Sequence, residues 1–397
     1  MVTLAEATWA VPTTAQLVAD LAGVDVPGLV ARHGTPLLVL DLDRLTGQYR
    51  LLREGLPDVR PYYAVKALSH PAALAALRDE GACFDVASPG EVSLLAGLGV
   101  APDRCIYTHP VKKPDDVAAA VRHGIRTFVF DDERELDKFA GLEDRVELLL
   151  RLAYRNEQAL IDLSYKYGAR PEDAVDLVRA AQRRGLQVAG LSFHAGSQLM
   201  TVEPLISAIR HAAMLIDCLA GLGIPLDVLD IGGGLPVPYD AAVPHLDSFV
   251  PGIREAIRPL IERGIRVISE PGRFVAAPAV TAVTSVVGVT RRGGMPWYHL
   301  DDGLYGSFSN VLSDHVHPTL FAFRSEERGL VRSVLAGPTC DSTDVITTGA
   351  LMPDLQPGDL LVAPCMGAYT SVTACEFNGI PRTPVVVARD GRELSRR

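Results

Sequence analysis

Lys66 ends the apolar, aromatic run Pro61-Tyr62-Tyr63-Ala64-Val65 and is one of only five lysines in the chain. An amine closing a buried strand is desolvated, which favours the neutral nucleophile that Schiff-base chemistry requires. The same placement suits a lysine whose stem packs on the strand while its head reaches water. The other four sit in polar company, Lys112 and Lys113 as a pair, Lys138 in a charged helix and Lys166 in a loop. Asp230-Ile-Gly-Gly-Gly234 either aims backbone N–H groups at an anion or makes a plain tight turn. It lacks the GxGxxG spacing, so it implies no dinucleotide. Glu270-Pro-Gly-Arg273 brings a carboxylate that needs a partner when buried. Glu270 pairs with Arg273, or it holds a ring nitrogen protonated while Arg273 and Ser197 take a phosphate. His194 is a packed core histidine or a flat surface for a ring. Cys340 and Asp341, side by side in Gly337-Pro-Thr-Cys-Asp, are an inert turn or a proton donor beside a carboxylate.

Elements that place such groups alternate between residues 60 and 272. Strand-like runs cover residues 62–66, 83–87, 105–107, 127–130, 146–152, 187–194, 226–231 and 266–269. Amphipathic stretches such as 70–80, 88–98, 113–123 and 171–184 lie between them. Eight strand–helix units predict a (β/α)8 barrel, in which functional groups gather where strands end. Lys66 ends the first, Asp85 and Ser88 the second, Arg151 the fifth, His194 to Ser197 the sixth, Asp230 to Gly234 the seventh and Glu270 to Arg273 the last. The strand at 36–40 would be a ninth and falls outside the barrel. Beyond residue 276, runs at 280–289, 297–300, 331–336, 359–363 and 383–388 predict a β domain.

The 397 residues carry a net charge of −10 with no local basic cluster, which argues against nucleic acid as a partner. No apolar run has the length of a membrane span, and Met1 to Trp9 does not read as a secretory signal. Six cysteines without CxxC spacing fit reduced cytoplasmic thiols, with no metal site expected. Cys83 and Cys105 read as packing residues, and Arg392 to Arg397 as a solvated tail.

In chain order, the motifs are Tyr63-Ala-Val-Lys66, Phe84-Asp-Val-Ala-Ser88, Phe193-His-Ala-Gly-Ser197, Asp230-Ile-Gly-Gly-Gly234, Glu270-Pro-Gly-Arg273, Gly337-Pro-Thr-Cys-Asp341 and Gly367-Ala-Tyr-Thr370. Over residues 36–379 the chain resembles the fold-type III pyridoxal-phosphate decarboxylases of ornithine, lysine, arginine and diaminopimelate. The stretch from Asp302 to Phe308 and on to Asp314-His315 is most similar to the ornithine/lysine branch. The resemblance implies an alanine-racemase-like architecture. A (β/α)8 barrel over 37–276 would bind pyridoxal 5'-phosphate, and a β domain of 1–36 and 277–397 would complete the site across a homodimer.

By motif, it implies that Lys66 bonds the cofactor, His194 stacks on its ring and Glu270 meets the pyridine nitrogen. Ser197, Gly232, Gly233, Gly234, Arg273 and Tyr369 would hold the phosphate, with Asp85, Glu91 and Arg151 lining the cofactor side. Cys340, from the second subunit, would protonate the α-carbon. Asp314 and Asp341 would face the distal ammonium of the substrate, with Tyr305 and Phe377 beside them. The implied enzyme is a carboxy-lyase of polyamine biosynthesis, an ornithine decarboxylase that also accepts lysine. Diaminopimelate decarboxylases commonly carry Cys-Glu where this chain has Cys340-Asp341. Ser313, Ala195 and Ile380 depart from the family pattern, and the small Ser313 leaves a specialised amino acid open as substrate. A racemase would need a second base, and a non-catalytic regulatory homologue would not need Lys66, Cys340 and Asp341 together.

Overall fold

The computed structural model describes residues 25–156, 163–237, 239, 243–323 and 329–394. The expectations for Met1 to Trp9, for the rest of the first 24 residues and for Ser395 to Arg397 lie outside these. The chain divides into two compact units, one built on Thr46–Pro236 and Leu246–Val275, the other on the chain around them.

Strand β1 (Leu37–Asp41) precedes eight parallel strands, β2 (Val59–Ala64), β3 (Cys83–Val86), β4 (Cys105–Tyr107), β5 (Thr127–Phe130), β6 (Glu147–Leu152), β7 (Gln187–Phe193), β8 (Val228–Asp230) and β9 (Arg266–Ser269). They form a closed barrel in which β9 returns to pair with β2, Val59 opposite Val267. One buried layer takes a residue from each strand: Tyr62, Cys83, Ile106, Val129, Leu149, Ala189, Val228 and Ile268. Alternation along each strand turns these side chains inward. Helices follow at Pro71–Asp79, Pro89–Gly97, Pro114–Arg122, Ala174–Arg183, Glu203–Gly221 and Leu246–Glu262, three of them with proline at the first helical position. Glu203–Gly221 is long and apolar enough for a membrane span by composition alone. Its Leu205, Ile209, Ala212 and Ile216 are buried, as expected of a helix that covers a barrel.

The other unit is a mixed sheet. Its strands are β10 (Val280–Arg292), β11 (Met295–Leu300), β12 (Phe321–Ala322), β13 (Val331–Ala336), β14 (Val345–Met352), β15 (Leu360–Ala363), β16 (Val385–Arg389) and β17 (Arg392–Glu393). The order β14-β13-β11-β10-β1-β16-β17 places β1 in this sheet, antiparallel to β10 and parallel to β16, with β15 also on β10. Its core packs Leu37 and Val39 against Val283, Val362 and Val386. β12, β14 and β17 match no strand run read from the sequence. Arg392 and Glu393 pair with β16, where a solvated tail was expected.

Candidate active site

Polar groups that end or follow seven of the eight strands lie at the C-terminal end of the barrel. β2 stops at Ala64, whose N–H donates to Pro271 O at 3.1 Å, and a single 3-10 turn, Val65–Ala67, then carries Lys66. Its Nζ lies 3.2 Å from Asp85 Oδ2, with 44% of the side chain accessible against 1% for Asp85. Of the two placements the sequence allows, the lysine head reaching water is the one found and the desolvated amine is not: the strand is buried, and the turn after it lifts the head into the open. The truly buried lysine is Lys112, placed in polar company by its sequence neighbours. Its ammonium donates to the carbonyls of His109, Pro110 and Val129 at 2.6–2.9 Å, near Glu135 at 3.6 Å. Burial, first, and Lys138 pull its pKa down to about 8 against the opposing pull of Glu135.

Asp85 Oδ1 accepts from Thr108 Oγ1, a residue at the end of β4 that the sequence reading passed over. The rule that polar residues at strand ends carry function would have found it. Ser88 is a helix cap: its Oγ accepts from Glu91 N, while Glu91 Oε2 accepts from Ala87 N at 2.6 Å. The pair is a variant of the capping box, in which the Glu91 carboxylate takes the N–H of the residue before the cap. Burial and the nearby Asp85 raise the Glu91 pKa to about 7, Ala87 N–H and Lys66 opposing.

His194 follows β7, and its Nδ1 accepts the Gly196 N–H at 3.2 Å, which leaves the proton on Nε2. Burial, reinforced by the charges of Arg151 and Lys66, pulls its pKa down to about 3, so the ring is neutral at physiological pH. The three glycines after β8 are a close-approach device. A Cβ at Gly232 would stand 2.4 Å from Phe193 O, at Gly233 2.6 Å from Glu270 O and at Gly234 2.2 Å from Gly196 O. The Gly232 N–H is taken by Asp230 Oδ1 at 2.9 Å. Among the described residues no acceptor takes the N–H of Gly233 or Gly234, so these two donors can meet an anion. Arg273, buried, donates from Nε to Ser197 Oγ at 3.2 Å, which brings two of the expected phosphate ligands together. Glu270 makes no ion pair with Arg273 among the described residues. Its pKa is raised, by burial first and then by Asp85, with Lys66, Asp230 and Arg151 pulling the other way. Arg151, on β6, lies over the Tyr167 ring at 5.6 Å.

In the other unit, four expected residues form one exposed cluster. The Tyr305 and Phe377 rings stack at 4.5 Å and 29°, and Tyr305 OH donates to Asp341 Oδ2. Asp341 Oδ1 accepts from Thr343 N at 2.9 Å, and these donors, Tyr305 first, lower its pKa. Cys340 is exposed, its N–H on Asn378 Oδ1 at 3.1 Å. The sequence reading assigned Asp344 no role, yet it is buried beneath this cluster. Its Oδ1 accepts from Leu304 N at 2.8 Å, and its Oδ2 from Thr339 N at 3.1 Å and Thr339 Oγ1 at 2.7 Å. Asp314 is buried just after the short helix Asn310–Ser313. Tyr369 sits at φ 56°, its carbonyl accepting from Thr373 Oγ1 at 2.7 Å.

The barrel-end groups fit a phosphorylated pyridine aldehyde. Lys66 offers an accessible amine, His194 a neutral flat ring and Glu270 a carboxylate. Gly233, Gly234, Ser197 and Arg273 offer a donor set for a phosphate.

The profile described as "Pyridoxal-dependent decarboxylase, pyridoxal binding domain" matches residues 42–277. The chain is 40% identical to the lysine/ornithine decarboxylase of Selenomonas ruminantium, over 95% of each chain. It is 34% identical to the ornithine decarboxylase of Caenorhabditis elegans, over 88% of this chain and 86% of that one. Among solved structures it is similar to the lysine/ornithine decarboxylase from Vibrio vulnificus complexed with cadaverine. There the TM-score is 0.87 and the identity 40%, covering 95% of this chain and 99% of that chain.

Proposed function

From the premise that this chain belongs to the pyridoxal-dependent decarboxylases of basic amino acids, we propose that its substrate is L-ornithine, with L-lysine as a second. The products are carbon dioxide and the diamine, one proton replacing the lost carboxylate on the α-carbon. Pyridoxal 5'-phosphate, when bound, supplies the electron sink for the pair left by the departing carboxylate.

The chain's own residues do the rest. Lys66 anchors the cofactor covalently and Glu270 accepts a hydrogen bond from its ring nitrogen. His194 offers a neutral face, so it adds no positive charge beside the ring. Gly232, Gly233, Gly234, Ser197, Arg273 and Tyr369 hold the phosphate, with Gly233 and Gly234 giving the free N–H groups. Asp85, held by Thr108, keeps the Lys66 amine in place whenever it is not bonded to the cofactor, and Arg151 balances the acidic wall. Cys340 delivers the proton to the α-carbon, as general-acid work requires. Asp314, Asp341, Tyr305 and Phe377 receive the distal end of the substrate. The reading includes a cytoplasmic homodimer in which the groups of the β unit serve a second copy's barrel.

One observation carries the choice of a distal cation. Asp341 is held ionised by Tyr305 and Thr343, and no lysine, arginine or histidine pairs with it among the described residues. A substrate ammonium would supply that missing charge, while a second substrate carboxylate would be repelled. The test is carbon dioxide release from ornithine, lysine, arginine and diaminopimelate in parallel. Ornithine and lysine should react well, within the roughly 10–200-fold that one methylene can discriminate. Turnover of diaminopimelate alone would refute the assignment of Asp341.

A further inference from the structure

Asp230 closes β8 and is wholly buried, at 0% exposure. Its Oδ1 accepts the Gly232 N–H at 2.9 Å, while no N–H or O–H donor among the described residues reaches Oδ2. The hydroxyl of Ser269, buried one strand away, finds no partner either, so it does not fill the gap. What Asp230 does meet is the side chain of Glu270. The two are drawn together by the backbone, since Glu270 N donates to Gly232 O at 2.8 Å across the strand ends. Two carboxylates in contact are both acceptors, so a hydrogen bond between them needs a proton.

We propose that Asp230 and Glu270 share one proton, carried by Asp230, and that this makes Asp230 the positioning residue that keeps Glu270 an oriented anion. The asymmetry follows from the surroundings. Asp230 is the more deeply enclosed and has a single N–H for company. Glu270 is the more accessible and feels Lys66 and Arg151. Burial and the neighbouring Glu270 drive the Asp230 pKa well above its ordinary value; burial and Asp85 raise that of Glu270 too, but there Lys66, the bond to Asp230 and Arg151 all pull the other way. With one Glu270 oxygen receiving this proton, the other is free to accept from the pyridine nitrogen. The last step rests on the reading of Glu270 given above; the shared proton does not.

Infrared spectra of the cofactor-free protein test the proton directly, at a pH above the roughly 7 at which Glu91 ionises. The difference between wild type and Asp230→Asn should contain the deuterium-sensitive carbonyl stretch of a protonated carboxyl, lost in the variant. Cofactor affinity, followed by fluorescence titration, tests the positioning. Asp230→Asn keeps a donor toward Glu270 and an acceptor for Gly232, so its affinity should stay within about three-fold of wild type. Asp230→Ala removes the donor to a charged acceptor and should bind roughly ten-fold or more weakly. Absence of the carboxyl band from wild type, or its survival in Asp230→Asn, would overturn the proposal, as would equal weakening in Asn and Ala variants. Glu270→Gln reports separately: unchanged cofactor affinity there would refute the pyridine role of Glu270 while the band still reports on the shared proton.

Discussion

Asp85 holds Lys66 and Thr108 at once: Lys66 Nζ is 3.2 Å from its Oδ2, and Thr108 Oγ1 donates to its Oδ1. A carboxylate that is 1% exposed on its side chain tolerates no idle oxygen. Thr108→Val keeps the shape and removes the donor, so it should cost about 1–3 kcal/mol of stability. Urea unfolding measures this directly, and an unchanged midpoint would mean that Asp85 does not depend on Thr108.

Lys112 presents the inverse case, a cation inside a cage of carbonyls. Its folded pKa is lowered, to about 8 from 10.5, so between those values the unfolded chain binds more protons than the folded one. Stability from this group therefore rises with pH across that window. Lys112→Met should lose that rise, and it should be destabilised by about 3–5 kcal/mol at neutral pH because the caged acceptors are orphaned. Unfolding free energies of both proteins across the window, subtracted, isolate the effect.

Glu91 titrates in the opposite sense to an ion-paired carboxylate. Burial raises its folded pKa to about 7 from 4.5, so the folded protein holds the extra proton between them. Its contribution falls as pH rises through that interval. Glu91→Gln can still accept from Ala87 N–H and should flatten the fall, making the variant more stable relative to wild type at pH 8 than at pH 4.5. A parallel pair of curves would exclude the effect.

Gly233 has no positive φ, so an added methyl there meets only a steric cost. It would stand 2.6 Å from Glu270 O and 3.4 Å from His194 Nε2, and overpacking of this kind costs about 1–3 kcal/mol. Because the displaced groups are those proposed to flank the cofactor, Gly233→Ala should weaken cofactor binding in addition to lowering the melting temperature. Calorimetry and a cofactor titration on the same preparation separate the two, and full cofactor affinity would show that the loops yield elsewhere.

All eight barrel strands were legible because each is a short, near-continuous apolar run bounded by turn residues, the pattern of a sheet covered on both faces. β14 was not, since Val345–Met352 carries a central glycine and several exposed positions and so shows neither alternation nor an apolar run. Side-chain environments proved harder to read than strands. Lys112 and Lys113 look alike in sequence, but only the fold wraps Lys112 in carbonyls from β5 and its own loop. Lys66 ends an apolar run and yet reaches the open, because the strand stops two residues earlier than the pattern suggests. Ser88 stands where a strand-end functional group is expected, although Ser-Pro-Gly-Glu91 also spells a helix cap. The partners of Asp85 and Asp230 depend on register between strands, which no linear spacing encodes.

Asp344 reaches the Tyr305 loop through Leu304 N and the Cys340 loop through Thr339. One side chain thus sets the registration between the loop proposed to meet the far end of a substrate and the loop whose thiol is proposed to protonate its near end. Neither loop can drift to suit a longer or shorter amino acid without dragging the other. Changes of substrate in this scaffold are therefore expected to be easier to make by resizing a side chain than by moving the backbone.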